Sequence, residues 1–421
     1  MRKAFGLLHR WAGLFIAVFL TISGISGAII SWDHELDEWL NPHLFDAKAE
    51  GVPREPLALV RSVEAADPRV VVTYFPLQFE SGHNALIGVE PRIDPKTGQP
   101  FEVDYNQVFV DPVSGEHAGR RYWGKISLSS EDVLPFLYKL HYSMHIPDFG
   151  GIDRWGYWFM GIIAIVWTID CFVGFYLTLP PRRTLPMNGT ASGTAPRRTW
   201  WERWKPAWQI KLGSSSYRLN VDLHRAFGLW LWMIIFIVAF SSISMNLSDI
   251  VVRPILSTFA TLTPDAFDDH TPLDQSKPIE PALSWEQAIE SLSADAKVRG
   301  WSEPAGDAFY GRLHGLYGVV FYNPGEEHGR YGMTKMLFLD GRSGEAAGGR
   351  VPFEGTAADI FMQLQFPLHS GRIAGLSGRI LISLIGLVVA MLSVTGIVIW
   401  AKKRAAQAAR TATANTPQLA E

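Results

Sequence analysis

Four apolar runs constrain this chain more than any other feature. Residues 11–31, 226–248 and 380–400 contain no charged residue, and 155–179 contains one, Asp170. A bilayer core of ~30 Å is crossed by ~20 apolar residues in helical form. Four such runs exclude a soluble protein. The single cysteine, Cys171, lies inside one of them. That excludes a disulfide, an iron–sulfur cluster, a thiolate zinc site and a CxxCH haem attachment. A net charge of −3 gives no reason to expect a nucleic-acid partner.

Charge sets the expected topology. Residues 1–10, 180–225 and 401–421 together hold 16 Lys/Arg against 3 Asp/Glu, out of chain totals of 38 and 41. The remainder therefore holds 22 against 38. Excess Lys and Arg beside span ends mark the cytoplasmic side. The expected order is a cytoplasmic N-terminus 1–10, a span 11–31, an external domain 32–154 and a span 155–179. A cytoplasmic loop 180–225, a span 226–248, an external domain 249–379, a span 380–400 and a cytoplasmic tail 401–421 follow. In the loop, Trp200, Trp201, Trp204 and Trp208 stand among basic residues. That suits a helix lying in the membrane interface, or an irregular loop with Trp at headgroup level. The first run also resembles a signal peptide, with Ser26-Gly27-Ala28 as a cleavage site. Signal h-regions run ~7–15 residues, whereas this run is 21 long and has a near-copy in mid-chain. A retained anchor is expected.

The chain reads as a tandem duplication. Leu8-His9-Arg10-Trp11-Ala12-Gly13-Leu14 recurs as Leu223-His224-Arg225-Ala226-Phe227-Gly228-Leu229, at an offset of 215. Val108-Phe109-Val110-Asp111 through Gly119 recurs as Leu337-Phe338-Leu339-Asp340 through Gly348, at an offset of 229. A further match has two registers. An offset of 224 pairs His145 with His369, and an offset of 228 pairs His141 with His369. Each half crosses twice, so the copies share one orientation. The expected fold is an α-helical membrane protein, four transmembrane helices as two parallel tandem repeats, with two small α+β external domains. Residues 70–75, 107–110 and 336–339 have strand composition, the last two preceding Asp-x-x-Ser-Gly turns. Residues 284–298 open with Ser284 and Gln287 in capping-box spacing.

Histidine carries the candidate chemistry. Of 12 histidines, His9, His141, His145, His224 and His369 sit at span boundaries. His9 and His224 lie at the expected cytoplasmic ends, and the other three at the external ends. Duplication relates the members of each pair, so each pair can face one shared space. Two imidazoles converging from opposite helices are what a six-coordinate b-type haem requires, one nitrogen per iron face. The expectation is two haems, held by His9 with His224 and by His369 with His145 or His141. A zinc site from His141 and His145 lacks a carboxylate at helical spacing. Arg10 and Arg225 directly follow two of these histidines and suit haem propionates. Arg154 and Arg379 are outer counterparts; all four equally read as anchors in lipid headgroups. Asp170 is expected to bond a Ser or Thr of a neighbouring helix as structural glue, the alternative being proton uptake. No nucleotide motif is present, so an electron donor is expected to be separate.

The motifs LHRWAGL, LHYSMH, DLHRAFGLW and PLHSGRIAGLSGR together resemble the PepSY-associated transmembrane proteins, along nearly the whole chain. The strand–Asp-x-x-Ser-Gly-Glu elements at 108–116 and 337–345 resemble PepSY modules. That family includes inner-membrane ferric-siderophore reductases of Gram-negative bacteria. The resemblance implies an inner-membrane oxidoreductase with two haems b and periplasmic PepSY-like domains. It implies reduction of siderophore-bound iron at the periplasmic face, the separate electron donor expected above being a quinol or a cytoplasmic reductase. His314, Tyr317, Tyr322 and His328 are expected to line the siderophore site or to be exposed loop residues; no catalytic side chain is assigned. Two other classes remain open, a non-redox PepSY accessory protein and a component of siderophore or iron transport.

Overall fold

The computed structural model describes residues 1–150, 154–181, 198–267, 270, 277–325 and 333–414. His328, Arg182, Arg183 and Arg197 lie outside them. The longer described helices are α1 (Arg2–Ile30), α2 (Asp33–Leu40), α3 (Pro56–Ala66), α4 (Val133–Ser143) and α5 (Trp155–Thr178). They continue as α6 (Ser216–Trp230), α7 (Trp232–Asn246), α8 (Trp285–Val298), α9 (Ala357–Ser370) and α10 (Gly375–Ala414). The strands are β1 (Val70–Pro76), β2 (Ala85–Pro91), β3 (Gln107–Val110) and β4 (His117–Arg121). A second set comprises β5 (Ala305–Gly311), β6 (Leu316–Phe321), β7 (Lys335–Asp340) and β8 (Ala346–Arg350). These elements divide into two units, one of apolar helices and one built on a sheet.

In the helical unit, α1, α5 and α10 are each long and apolar enough to cross a membrane. The pair α6 and α7 passes the same test only together, across a 73° bend. The protein is a helical membrane protein with three candidate spans, or four when the bent pair counts as one. The expected span 226–248 thus falls on a bent pair of helices rather than on a single one. Gly228 leaves the turn before the break without a side chain, and Leu231 at the break takes φ −109°, ψ 9°. Trp232, opening α7, donates its indole N–H to the Cys171 carbonyl at 2.9 Å. At the other ends, α1 starts at Arg2 and α10 runs to Ala414, beyond the apolar runs. Good helix formers (Ala, Lys, Arg, Gln) continue α10 past Trp400.

Small residues bring α1 and α10 together. A Cβ on Gly24 would stand 2.5 Å from the Gly386 carbonyl oxygen and 3.2 Å from Ala390 N. Only glycine lets the backbones approach so closely, the usual means of packing where lipid is as apolar as Leu. Ile16 and Leu20 of α1, Ile163 of α5, Ile235 of α7, and Ile385 and Val389 of α10 fill the centre. The Trp-rich segment forms a five-residue helix, Trp200–Trp204, with a Thr199/Glu202 capping box, then a 3-10 turn over Lys205–Trp208. Trp204 is buried beside Leu229 and Phe175, whereas Trp201 is exposed.

The second unit is one antiparallel sheet of eight strands in the order β4-β3-β2-β1-β5-β6-β7-β8. The two external segments therefore share one sheet and do not form the two separate domains expected from sequence. They join where β1 meets β5, with Tyr74 opposite Phe309 and Phe75 opposite Ala308. Each side is a helix followed by a four-strand meander. Alternate residues of β1 (Val70, Val72) are buried with Ile87, Tyr317 and Leu337 against Val60 and Val63 of α3 and Leu292 of α8. The Ser284/Gln287 capping box forms as expected.

The repeated Asp-x-x-Ser-Gly elements close equivalent turns. Asp111 accepts the backbone N–H groups of Val113 and Ser114 at 2.9 and 3.0 Å, with Gly115 at φ 75°. Asp340 accepts those of Arg342 and Ser343 at 2.8 and 2.7 Å, with Gly344 at φ 74°. Positive φ is why glycine ends both turns. Burial raises both carboxyl pKa values, but hydrogen bonds to the charged form more than offset it, leaving both below the ordinary value. Their stabilisation is complete above the unfolded pKa of ~3.9 and is lost as pH falls through the lower folded values. Asp111→Asn should cost about 1–3 kcal/mol near neutral pH. The Asp111→Asn/Asp340→Asn pair should flatten the acid limb of stability, read by urea unfolding of the full-length protein across pH.

Candidate functional site: two histidine pairs

His9 on α1 and His224 on α6 face each other, ring centres 6.0 Å apart and planes at 62°. His141 on α4 and His369 on α9 repeat the arrangement at 6.2 Å and 66°. The ring that stands against His369 is thus His141, in the register of the 228 offset. His145 follows the end of α4 at φ 50° and bonds Ser143 Oγ through its backbone N–H at 3.3 Å.

Each ring is fixed through Nδ1. His9 Nδ1 lies 2.9 and 3.0 Å from the two Asp170 oxygens. His224 Nδ1 meets the Leu392 carbonyl at 3.0 Å and Thr395 Oγ1 at 3.1 Å. His141 Nδ1 meets the Ser23 carbonyl at 2.9 Å and Ser26 Oγ at 3.2 Å, and His369 Nδ1 meets Ser241 Oγ at 3.1 Å. The tautomers follow from these partners. Thr395, Ser26 and Ser241 donate their hydroxyl protons to Met391, Ile22 and Ile237 carbonyls at 2.8, 2.8 and 2.7 Å. Toward histidine their oxygens act as acceptors, as do the carbonyls and the carboxylate. Nδ1 therefore carries the proton on all four rings, and Nε2 keeps its lone pair.

Glycine shapes the surroundings. A Cβ on Gly174 would stand 3.5 Å from His9 Cε1, and one on Gly396 3.4 Å from His224 Cε1, so each ring edge lies against bare helix backbone. Gly6 and Gly13 flank His9 at helical spacing, and Gly228 follows His224 in the same way. All three line a cavity of about 1020 Å³ that also takes in His9, His224 and Trp167. A Cβ on Gly6 or Gly228 would meet nothing within 4 Å, and one on Gly13 only Asp170 Oδ2 at 3.9 Å.

Arg10 and Arg225 line the same cavity. Arg225 donates to the Pro206 carbonyl at 2.5 Å and to Asp222 Oδ1 at 3.1 Å. Its buried Nε has no hydrogen-bond partner among the described residues. Arg154 pairs with exposed Asp249 at 3.3 Å, and Arg379 donates from Nε and Nη2 to the Ser31 carbonyl at 2.9 and 2.7 Å. Asp170 corrects its expected role: its hydrogen-bond partner is His9 rather than a hydroxyl of a neighbouring helix. Tyr317 and Tyr322 are buried, donating to the Leu283 carbonyl and to Asp307 at 2.8 and 3.1 Å, so neither is an exposed loop residue. The sequence reading missed Ser26 and Ser241, although they repeat in the same register as His9 and His224.

The glycines differ in what a methyl group would meet. Gly228→Ala should leave the stability of the detergent-solubilised protein, read by its thermal midpoint, unchanged or raise it by about 0.4–1 kcal/mol. Gly27→Ala should lower it, because the new Cβ would stand 2.7 Å from His141 Cε1.

No curated protein was found to match the chain. The family model described as PepSY-associated TM region matches residues 7–403, a stretch that contains both histidine pairs. The chain belongs to the PepSY-associated TM region family.

Proposed function

We propose that this protein carries electrons across the bacterial inner membrane through two b-type haems and reduces a ferric siderophore in the periplasm. On this reading four spans form two parallel repeats, with the termini and the loop cytoplasmic and the sheet unit periplasmic. The observation that carries it is the pair of facing imidazoles, twice over, each with Nδ1–H spent on a fixed acceptor and Nε2 left as a lone pair. Imidazole nitrogen binds a metal ion at ~2.0–2.1 Å and lies ~1.1 Å from its ring centre, so rings on opposite sides of one ion stand ~6.2–6.4 Å apart. The separations of 6.0 and 6.2 Å lie at the lower edge of that span.

The donor set supports haem over a bare ion. Among the described residues no group of three or more His, Cys, Asp or Glu side chains is placed to hold a metal. Two imidazoles alone do not complete a transition-metal site, so the remaining donors have to arrive with the metal, as a porphyrin supplies them. The cavity beside His9 and His224 is of the size used for small-molecule and cofactor sites, ~300–1,000 Å³. Its bare glycines leave room for a flat group.

Haem, when bound, would supply one-electron chemistry. The protein residues do the rest. His9 with His224, and His141 with His369, would hold the two haems through Nε2. Ser26, Ser241, Thr395 and Asp170 lock their tautomers and ring orientations. Arg225, with its free Nε, and Arg10 hold propionates at the cavity. The apolar packing of Ile16, Leu20, Ile163 and Ile385 keeps water out between the two sites. Electrons come from a separate donor, a quinol or a cytoplasmic reductase, one for each Fe(III) reduced to Fe(II). Siderophore oxygen donors hold the hard ferric ion better than the ferrous, so reduction releases the metal.

The test is an absorbance spectrum of the purified full-length protein, oxidised and dithionite-reduced, with pyridine haemochrome quantitation. Two haems b per chain are expected, about one in His9→Ala and about one in His369→Ala, with ferric-siderophore reduction lost in both. A colourless protein from haem-replete cells contradicts the proposal and favours a non-redox accessory role.

A further inference from the structure

The two histidine pairs match in spacing and tautomer, but differ in one respect. His224, His141 and His369 give their Nδ1 protons to neutral oxygens, carbonyl or hydroxyl. His9 alone gives its proton to a carboxylate, both oxygens of Asp170 lying within 3.0 Å. The difference is confined to one repeat. Gly174 and Gly396 touch the equivalent rings, and the register that superposes them sets Asp170 against Leu392, whose neutral carbonyl serves His224. A carboxyl group inside an apolar span is costly to keep, and this one is nine-tenths buried.

We infer that Asp170 is a positioning residue that sets the direction of electron flow, by making the site of His9 and His224 the more reducing of the two. The inference rests on the haem reading above. Two effects act in the same direction. An anionic acceptor at Nδ1 raises the basicity of Nε2, and a more basic axial nitrogen favours ferric over ferrous iron. A negative charge held a ring's width from the iron, in a medium of low dielectric, also favours the more positive oxidation state. No such charge bonds either ring of the other pair. With haem bound, an electron on the His9–His224 site would run downhill to the His141–His369 site, the first site being oxidised as the second is reduced, with no proton or co-reactant entering.

The test is a potentiometric titration of the purified two-haem protein, followed by its absorbance bands. In the wild type, the component that disappears in His9→Ala should have the lower midpoint, and the component that disappears in His369→Ala the higher. Asp170→Asn should raise the first midpoint by about 59 mV or more, the equivalent of a tenfold change for one electron, and leave the second in place. Asp170→Glu should restore the lower value in part. The inference is overturned when the His9-dependent component has the higher midpoint in the wild type, or when Asp170→Asn moves both components equally or neither. The wild-type order decides the matter even where the Asp170 variants do not fold. A protein without haem overturns this inference and the proposed function together. Two haems in the wrong order overturn this inference alone.

Discussion

An imidazole packed among apolar helices has two nitrogens to satisfy and few polar groups with which to do it. The four paired histidines meet half of that demand within the protein, each through Nδ1 and an oxygen on a neighbouring helix. The acceptors are what fix the other half. Hydroxyls already committed to helix carbonyls, backbone carbonyls and one carboxylate accept but do not donate here, so Nε2 keeps its lone pair on all four rings. Much of the helical unit serves this geometry.

The same constraint explains the glycines. Rings held at 6.0 and 6.2 Å from each other need neighbouring helices close behind them. Gly174 and Gly396 bring α5 and α10 against the ring edges, and Gly27 does so for His141. Gly24 and Gly386 draw α1 and α10 together along the seam between the sites. Where the helices need instead to leave room, Gly6, Gly13 and Gly228 stand bare. One residue type thus serves both close approach and open space, and only the three-dimensional context separates the two uses.

How much of this was legible in the sequence varies by element. Residues 155–179 announced α5 because composition and length suffice for a straight span. The strands at 107–110 and 336–339 and the Ser284 cap were equally legible, since their signals are local. The bend between α6 and α7 was not, because no proline marks it. The single sheet was not legible either, since the β1–β5 pairing joins Tyr74 to Phe309 across most of the chain. Among the site residues, His9, His224 and His369 stood out by repetition. His141 and His145 were not separable, because two offsets fitted equally and only packing against α1 distinguishes them. Asp170 read as glue because its partner lies 161 residues away on another helix.

The central claim is that each pair of imidazoles clamps one haem iron from both faces. Electron paramagnetic resonance of the oxidised full-length protein in membranes, with near-infrared magnetic circular dichroism, tests it most directly. Two low-spin ferric centres carrying the charge-transfer signature of paired neutral imidazoles are predicted, with one of them lost or turned high-spin in His224→Ala and the other in His141→Ala. High-spin iron in the wild type, or a low-spin centre that survives loss of His141 but not of His145, contradicts it.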